Sequence, residues 1–149
     1  MKITIATSIK YGNYKVHRPA ADRAIKALKA LTPLFKRHFD YRTNVEVKFR
    51  PIRGSVVGRA NNTGNWIEID PRRSLSLIIK TIAHELTHSE QYKQERLTWE
   101  MDKNCWDGKL YKKASTHKAY LALPWEVEAR ARADEFVADE EVKSIIQEL

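Results

Sequence analysis

The sequence predicts an α+β domain, and three features carry that prediction. Val45, Val47 and Phe49 alternate with Glu46, Lys48 and Arg50, the period-two signature of a half-buried strand. Asn61-Asn62-Thr63-Gly64 then supplies turn residues that tolerate positive φ, ahead of a second apolar run at Trp66–Ile69. From Ser74 onward the period changes to 3.6, with Leu75, Ile78, Ile79, Ile82 and Leu86 forming one helical stripe.

In chain order, Ile3–Thr7 is a short β-like run. A helix follows over about 20–38, with Ala21, Ile25, Leu28, Leu31 and Phe35 on one face. Pro33 is expected to break or kink that helix, because proline lacks the N–H and crowds the preceding turn. Val56 and Val57 open an extended stretch that the 61–64 turn folds back onto Trp66–Ile69, giving a hairpin in a short mixed or antiparallel sheet. Residues 100–122 read as an irregular excursion, with Trp99, Trp106 and Trp125 roofing the core or lining a pocket. Lys109, Lys112, Lys113 and Lys118 make that stretch a solvated loop or a phosphate-binding patch. Pro124 suits the first turn of a C-terminal helix whose expected buried contacts are Val127, Ala131, Phe136 and Val137.

The 149 residues contain 42% hydrophobic and 31% charged side chains with five glycines, which excludes collagen-like, low-complexity and disulfide-scaffold classes. No linker or repeat divides residues 1–149, so a single domain is expected: a basic region 1–44, a core 45–135 and an acidic helix end 136–149. The lone Cys105 precludes an internal disulfide, no apolar run is long enough to span a bilayer, and the N-terminal apolar stretch is short for a secretory signal. A cytoplasmic protein without membrane contact is the expectation. The net charge of +8 is concentrated in residues 1–60, which hold 14 basic and 3 acidic side chains. That asymmetry marks either a solvated surface or a face for DNA or RNA.

The chemistry is concentrated in His84-Glu85-Leu86-Thr87-His88. On a helix, residues four apart project about 40° from one another, so both imidazoles can share a metal ion while the apolar stripe anchors the opposite face. Glu85, about 100° round from His84, is placed to act as general base on a water. Two neutral imidazoles, an adjacent carboxylate and an open position for water are what catalytic zinc requires, together with a third protein ligand. Histidine at 94 would supply that ligand in the elongated metzincin pattern, but Gln94 stands there, and Gln91 replaces that pattern's glycine. His117, Asp107, Glu126, Glu128 and Asp134 remain as candidates.

His84-Glu85-Leu86-Thr87-His88 followed by Pro124-Trp125-Glu126-Val127-Glu128-Ala129 resembles the gluzincin metallopeptidases. The order of hairpin, HExxH helix and later helix over about 45–135 is similar to the small zincin-like enzymes of the SprT-like, ImmA/IrrE-like and phage-encoded groups. The resemblance implies a zincin-like fold, one zinc per chain held by His84, His88 and Glu126, and peptide hydrolysis with Glu85 as base. It also implies a bacterial or phage-infected cell as the setting, a protein or peptide as the substrate, and Trp66–Ile69 as a strand edging the cleft to which an extended substrate adds, the alternative being a plain internal strand. Glu128 lies about 200° from Glu126 on a helix and cannot share the metal with it. Arg130 departs from the family pattern, which places Asp or Asn there to brace a histidine, and Asp134 one turn later is the substitute brace. Tyr120, Tyr111 and His117 are the candidates for stabilising an oxyanion, Tyr120 first among them. Two alternatives accompany the peptidase: a nucleic-acid-associated form of it, and a non-catalytic binding module that keeps zinc for structure.

Overall fold

The computed structural model describes residues 2–5, 14–39 and 44–149. It is an α+β structure with two sheets. The first has the order β1-β2-β4-β3, built from β1 (Lys2–Ile5), β2 (Asn44–Phe49), β3 (Gly58–Ala60) and β4 (Trp66–Ile69). β1, β2 and β4 run parallel, and β3 pairs antiparallel with β4 through Arg59 opposite Glu68, so the sheet is mixed and β3 is its edge. The expected hairpin is present, but Trp66–Ile69 is internal and not the cleft's edge strand. Its pairing with β2 on one side and β3 on the other occupies both backbone edges. Of the expected Ile3–Thr7 strand, Ala6 and Thr7 lie outside the described residues.

Helix α1 (Tyr14–His38) connects β1 to β2 and runs through both Pro19 and Pro33 without ending. The expected break fails because burial outweighs one missing hydrogen bond. Leu31, Leu34 and Phe35 are buried around Pro33, whereas Pro33 itself and Lys29, whose carbonyl loses its partner, face solvent. α2 (Leu75–Lys93) starts at Ser74, whose hydroxyl accepts from the Leu77 N–H. It lies on β3 and β4 and packs along α4 (Pro124–Ala138), which is followed by α5 (Glu140–Glu148). One hydrophobic core gathers Val45, Val47 and Phe49, Ile67 and Ile69, and Ile78, Ile79, Ile82 and Leu86, closed by Phe136 and Val142. Phe136 stacks on Phe35 with ring centroids 4.2 Å apart.

Of the contacts expected for α4, Phe136 is buried and Val137 packs partly buried against the core, whereas Val127 is 48% exposed and Ala131 is exposed. Trp125, Ala129 and Ala133 complete the inward face. Small alanines let α4 lie close against α2, a role that a search for large apolar side chains overlooks.

Residues 100–122 are ordered rather than irregular. β5 (Leu97–Glu100), β6 (Lys103–Trp106) and β7 (Lys109–Leu110) form an antiparallel three-stranded sheet, and α3 (His117–Leu121) follows. Two-residue turns join the strands. Met101 and Asp102 sit at φ 52° and 58°, and Asp107 and Gly108 at 48° and 83°, as tight hairpins demand. Leu97 and Cys105 are the buried residues of this sheet, on opposite faces by its register. Among the described residues, no helix is long and apolar enough to cross a membrane.

Candidate metal centre

α2 and α4 bring His84, His88 and Glu126 together. Glu126 sits in the first turn of α4, where the exposed N–H dipoles favour a carboxylate. Arg132 locks α4 to its neighbours by donating to Glu90 of α2 at 2.7 Å and to the His38 carbonyl of α1 at 2.8 Å. The Glu126 carboxylate straddles both imidazoles, 3.1 Å from His84 Nε2 and 3.1 Å from His88 Nε2, and the two ring nitrogens are 3.2 Å apart. Ligand atoms on a tetrahedral zinc with bonds of about 2.05 Å lie about 3.3 Å from one another. The triangle therefore fits zinc in both donor chemistry and size.

The ring orientation of His88 is set by Gln91, a fully buried residue three positions further along α2. The Gln91 amide nitrogen donates to the Trp125 carbonyl at 3.1 Å, and a carbonyl can only accept. The amide oxygen consequently faces His88 Nδ1, 2.8 Å away, so Nδ1 carries a proton and Nε2 is the atom that could coordinate a metal. Gln91 was met in the sequence only as an absent glycine. The available signal was its i+3 position from a ligand histidine, which puts an amide on the same helix face.

Glu85 and Tyr120 flank this triangle. Burial pushes the Glu85 carboxyl above its ordinary range, against the pull of His88 and His84. For His88 burial disfavours the charged ring, but hydrogen bonding to Glu126 and the charges of Glu85 and Glu126 outweigh it and raise the pKa to about 9. Burial also opposes ionisation of Glu126, yet the two imidazoles hold it well below the carboxylate range. Tyr120 of α3 is raised by burial and by the negative charge of Glu126, so its phenol stays protonated and able to donate.

The remaining candidates are placed elsewhere. Glu128 is clamped by Arg96 through two bonds of 2.8 Å and receives Gln91. His117 is exposed on α3 and stacks on Tyr120 with centroids 6.5 Å apart, and Asp107 is in the β6–β7 turn. Asp134 does not brace a histidine, since Lys80 holds it at 2.8 Å. Arg130, the departure from the family pattern, donates to the Leu121 carbonyl at 2.6 Å and so fixes the end of the helix that carries Tyr120. Tyr111 packs edge-on against the buried Trp125, while Trp99 is 48% exposed. Several cations of residues 1–60 are engaged internally: Arg50 and Arg59 by Glu68, and Arg37 by Asp139 and Glu141.

Two cavities meet at Glu85 and Tyr120. One of about 880 Å³ also includes His88, Glu126 and the inner face of the β5–β7 sheet. The other, about 400 Å³, includes His84 and reaches Leu77, Lys80 and Arg130. Gly58 of the edge strand lines both. No family model, curated protein or solved structure matches this chain.

Proposed function

We propose that this chain is a zinc-dependent metallopeptidase of the gluzincin type, with a zincin-like fold. The observation that carries this reading is the convergence of His84, His88 and Glu126 on a tetrahedral spacing with the buried Glu85 carboxylate beside them. Zinc, when bound there, supplies an acidified water and a Lewis acid for the substrate carbonyl.

The other parts belong to the chain itself. Asn61 and Val57, which flank β3, bond to Trp66 and Asp70, and Arg59 stands opposite Glu68, which turns the backbone groups of Gly58 and Ala60 to the free edge. An extended peptide laid along that edge gains main-chain hydrogen bonds and crosses Glu85 between the two cavities. Glu85, its carboxylate made more basic by burial, accepts the proton of the attacking water and returns it to the departing amine. Tyr120 donates its phenolic hydrogen to the oxyanion, an interaction worth about 3 kcal/mol in comparable sites. A purely structural zinc site has no use for a base and a hydroxyl donor facing an open cleft, which favours the catalytic reading over a binding module.

Zinc per chain, measured on the wild type, Glu126→Ala and Glu85→Gln, tests this assignment together with peptide hydrolysis. The expected pattern is one zinc in the wild type, marked loss in Glu126→Ala, and retained zinc without turnover in Glu85→Gln. Full hydrolysis by Glu85→Gln would refute the base, and a wild type that takes up no zinc would refute the enzyme.

A further inference from the structure

One wall of the larger cavity contributes nothing to the chemistry at Glu85. Lys103 begins β6, and Lys112 and Lys113 follow directly on Tyr111, whose N–H is held by the Asn104 carbonyl at 2.9 Å. Lys103 therefore stands on the hairpin sheet and Lys112 and Lys113 on the segment leaving it, and all three line the cavity that contains Glu85, His88 and Glu126. None of them has an ion-pair partner among the described residues. Arg59, on the β3 side of the cavity, is engaged by Glu68 at 3.1 Å, and apart from Glu85 and Glu126 the lining holds a single carboxylate, Asp102. The smaller cavity differs: Lys80 is neutralised there by Asp134, and Arg130 is tied to a backbone carbonyl. Three lysines without a carboxylate partner thus lie on one side of Glu85, against the single guanidinium of Arg130 on the other.

We propose that this lysine wall selects substrate segments rich in Asp and Glu on one side of the scissile bond. The proposal rests on the peptidase reading of the same site and names the class of substrate it takes. Each exposed lysine–carboxylate pair is weak alone, but a concave wall of one sign concentrates the field, and three pairs act together until salt screens them. An acidic peptide fits better than a nucleic acid, because the cavity's opposite wall is the free backbone edge at Gly58 and Ala60, which matches an extended polypeptide.

The test uses zinc-loaded Glu85→Gln protein, which does not consume its ligand, and three labelled probes: a glutamate-rich decapeptide, its glutamine counterpart and an oligothymidylate. Two triple variants of equal net charge are compared in that background, Lys103→Gln/Lys112→Gln/Lys113→Gln on the wall and Lys26→Gln/Lys29→Gln/Lys36→Gln on α1. The acidic peptide should bind about tenfold more tightly than the neutral one at low salt. The wall variant should abolish that preference, and the α1 variant should keep it. Equal binding of the two peptides, equal losses in both variants, or tighter binding of the oligothymidylate would each overturn the proposal. The peptidase reading is judged separately, by zinc content and by hydrolysis of the glutamine peptide by the unsubstituted chain.

Discussion

Replacing Gln91 with methionine removes the group that orients His88 while nearly conserving side-chain volume. Two losses follow from the geometry. The 2.8 Å bond from His88 Nδ1 disappears, freeing the ring to rotate and to exchange tautomers. The Trp125 carbonyl, which received the Gln91 amide at 3.1 Å, is left without that donor inside the α2–α4 contact. Loss of an outer partner of a ligating histidine typically lowers metal affinity 10- to 100-fold, about 1.4–2.8 kcal/mol. The lost amide tie costs about 0.5–1.5 kcal/mol of stability regardless of metal, because the Trp125 carbonyl keeps its place in the α4 ladder. Chelator competition on the folded protein measures the first quantity, and denaturant unfolding of the zinc-stripped protein measures the second. Gln91→Glu separates them, because it keeps an acceptor for His88 and loses the donor to Trp125. Zinc affinity should stay within a fewfold of wild type while stability falls. A Gln91→Met protein that binds zinc as tightly as the wild type would refute the orienting role.

Three further outcomes are expected. A Cβ at position 58 would lie 2.6 Å from Thr81 Cγ2, and Thr81 is held by its own bond to the Leu77 carbonyl at 2.7 Å. Gly58→Ala should therefore cost about 1–3 kcal/mol in thermal or denaturant unfolding, and Thr81→Ser, which deletes that methyl, should restore part of it. Burial raises the Asp70 carboxyl, but hydrogen bonds from Arg72 and the Ile52 and Arg72 N–H groups outweigh this and hold it at about 2, below its ordinary 3.8. Its contribution, about 2 kcal/mol, is present above pH 3.8 and lost as pH falls towards about 2, so Asp70→Asn should flatten the acid limb of an unfolding-against-pH curve. Because His88 without metal holds its proton up to about pH 9, zinc must displace that proton. Apparent zinc affinity should rise about tenfold per pH unit between about pH 6 and 8 in competition titrations, and a flat profile would contradict the raised value.

Legibility in the sequence followed the distance over which each feature is encoded. His84 and His88 are one turn apart on a strongly periodic helix, so local geometry alone places them on one face. Glu126 comes from 38 positions beyond His88, and no local rule points to it; it was reached through the family resemblance. The hairpin sheet is not legible because Leu97 and Cys105, its two buried residues, lie on opposite faces and leave no period-two signal. Asp107-Gly108 carried recognisable turn chemistry, whereas Met101-Asp102 adopts positive φ without a glycine to announce it. The internal position of Trp66–Ile69 depends on pairing with the distant β2, which strand propensity does not reveal. α1 passes Pro33 because its neighbours are buried, a tertiary effect that overrides a local rule.

The chain between α2 and α4 leaves and returns at nearly one point, since the Gln91 amide bonds the Trp125 carbonyl directly. Residues 94–123 are thus a cassette whose ends are joined by the same contact that aligns the first and last ligands. Closure entropy grows only with the logarithm of loop length, so hairpins inserted, shortened or exchanged there leave the cost of forming the α2–α4 pair almost unchanged. The hairpins ahead of Tyr120 can therefore be rewritten while the spacing of His84, His88 and Glu126 stays fixed. A descendant of this chain can change the lining of its larger cavity without disturbing that triangle.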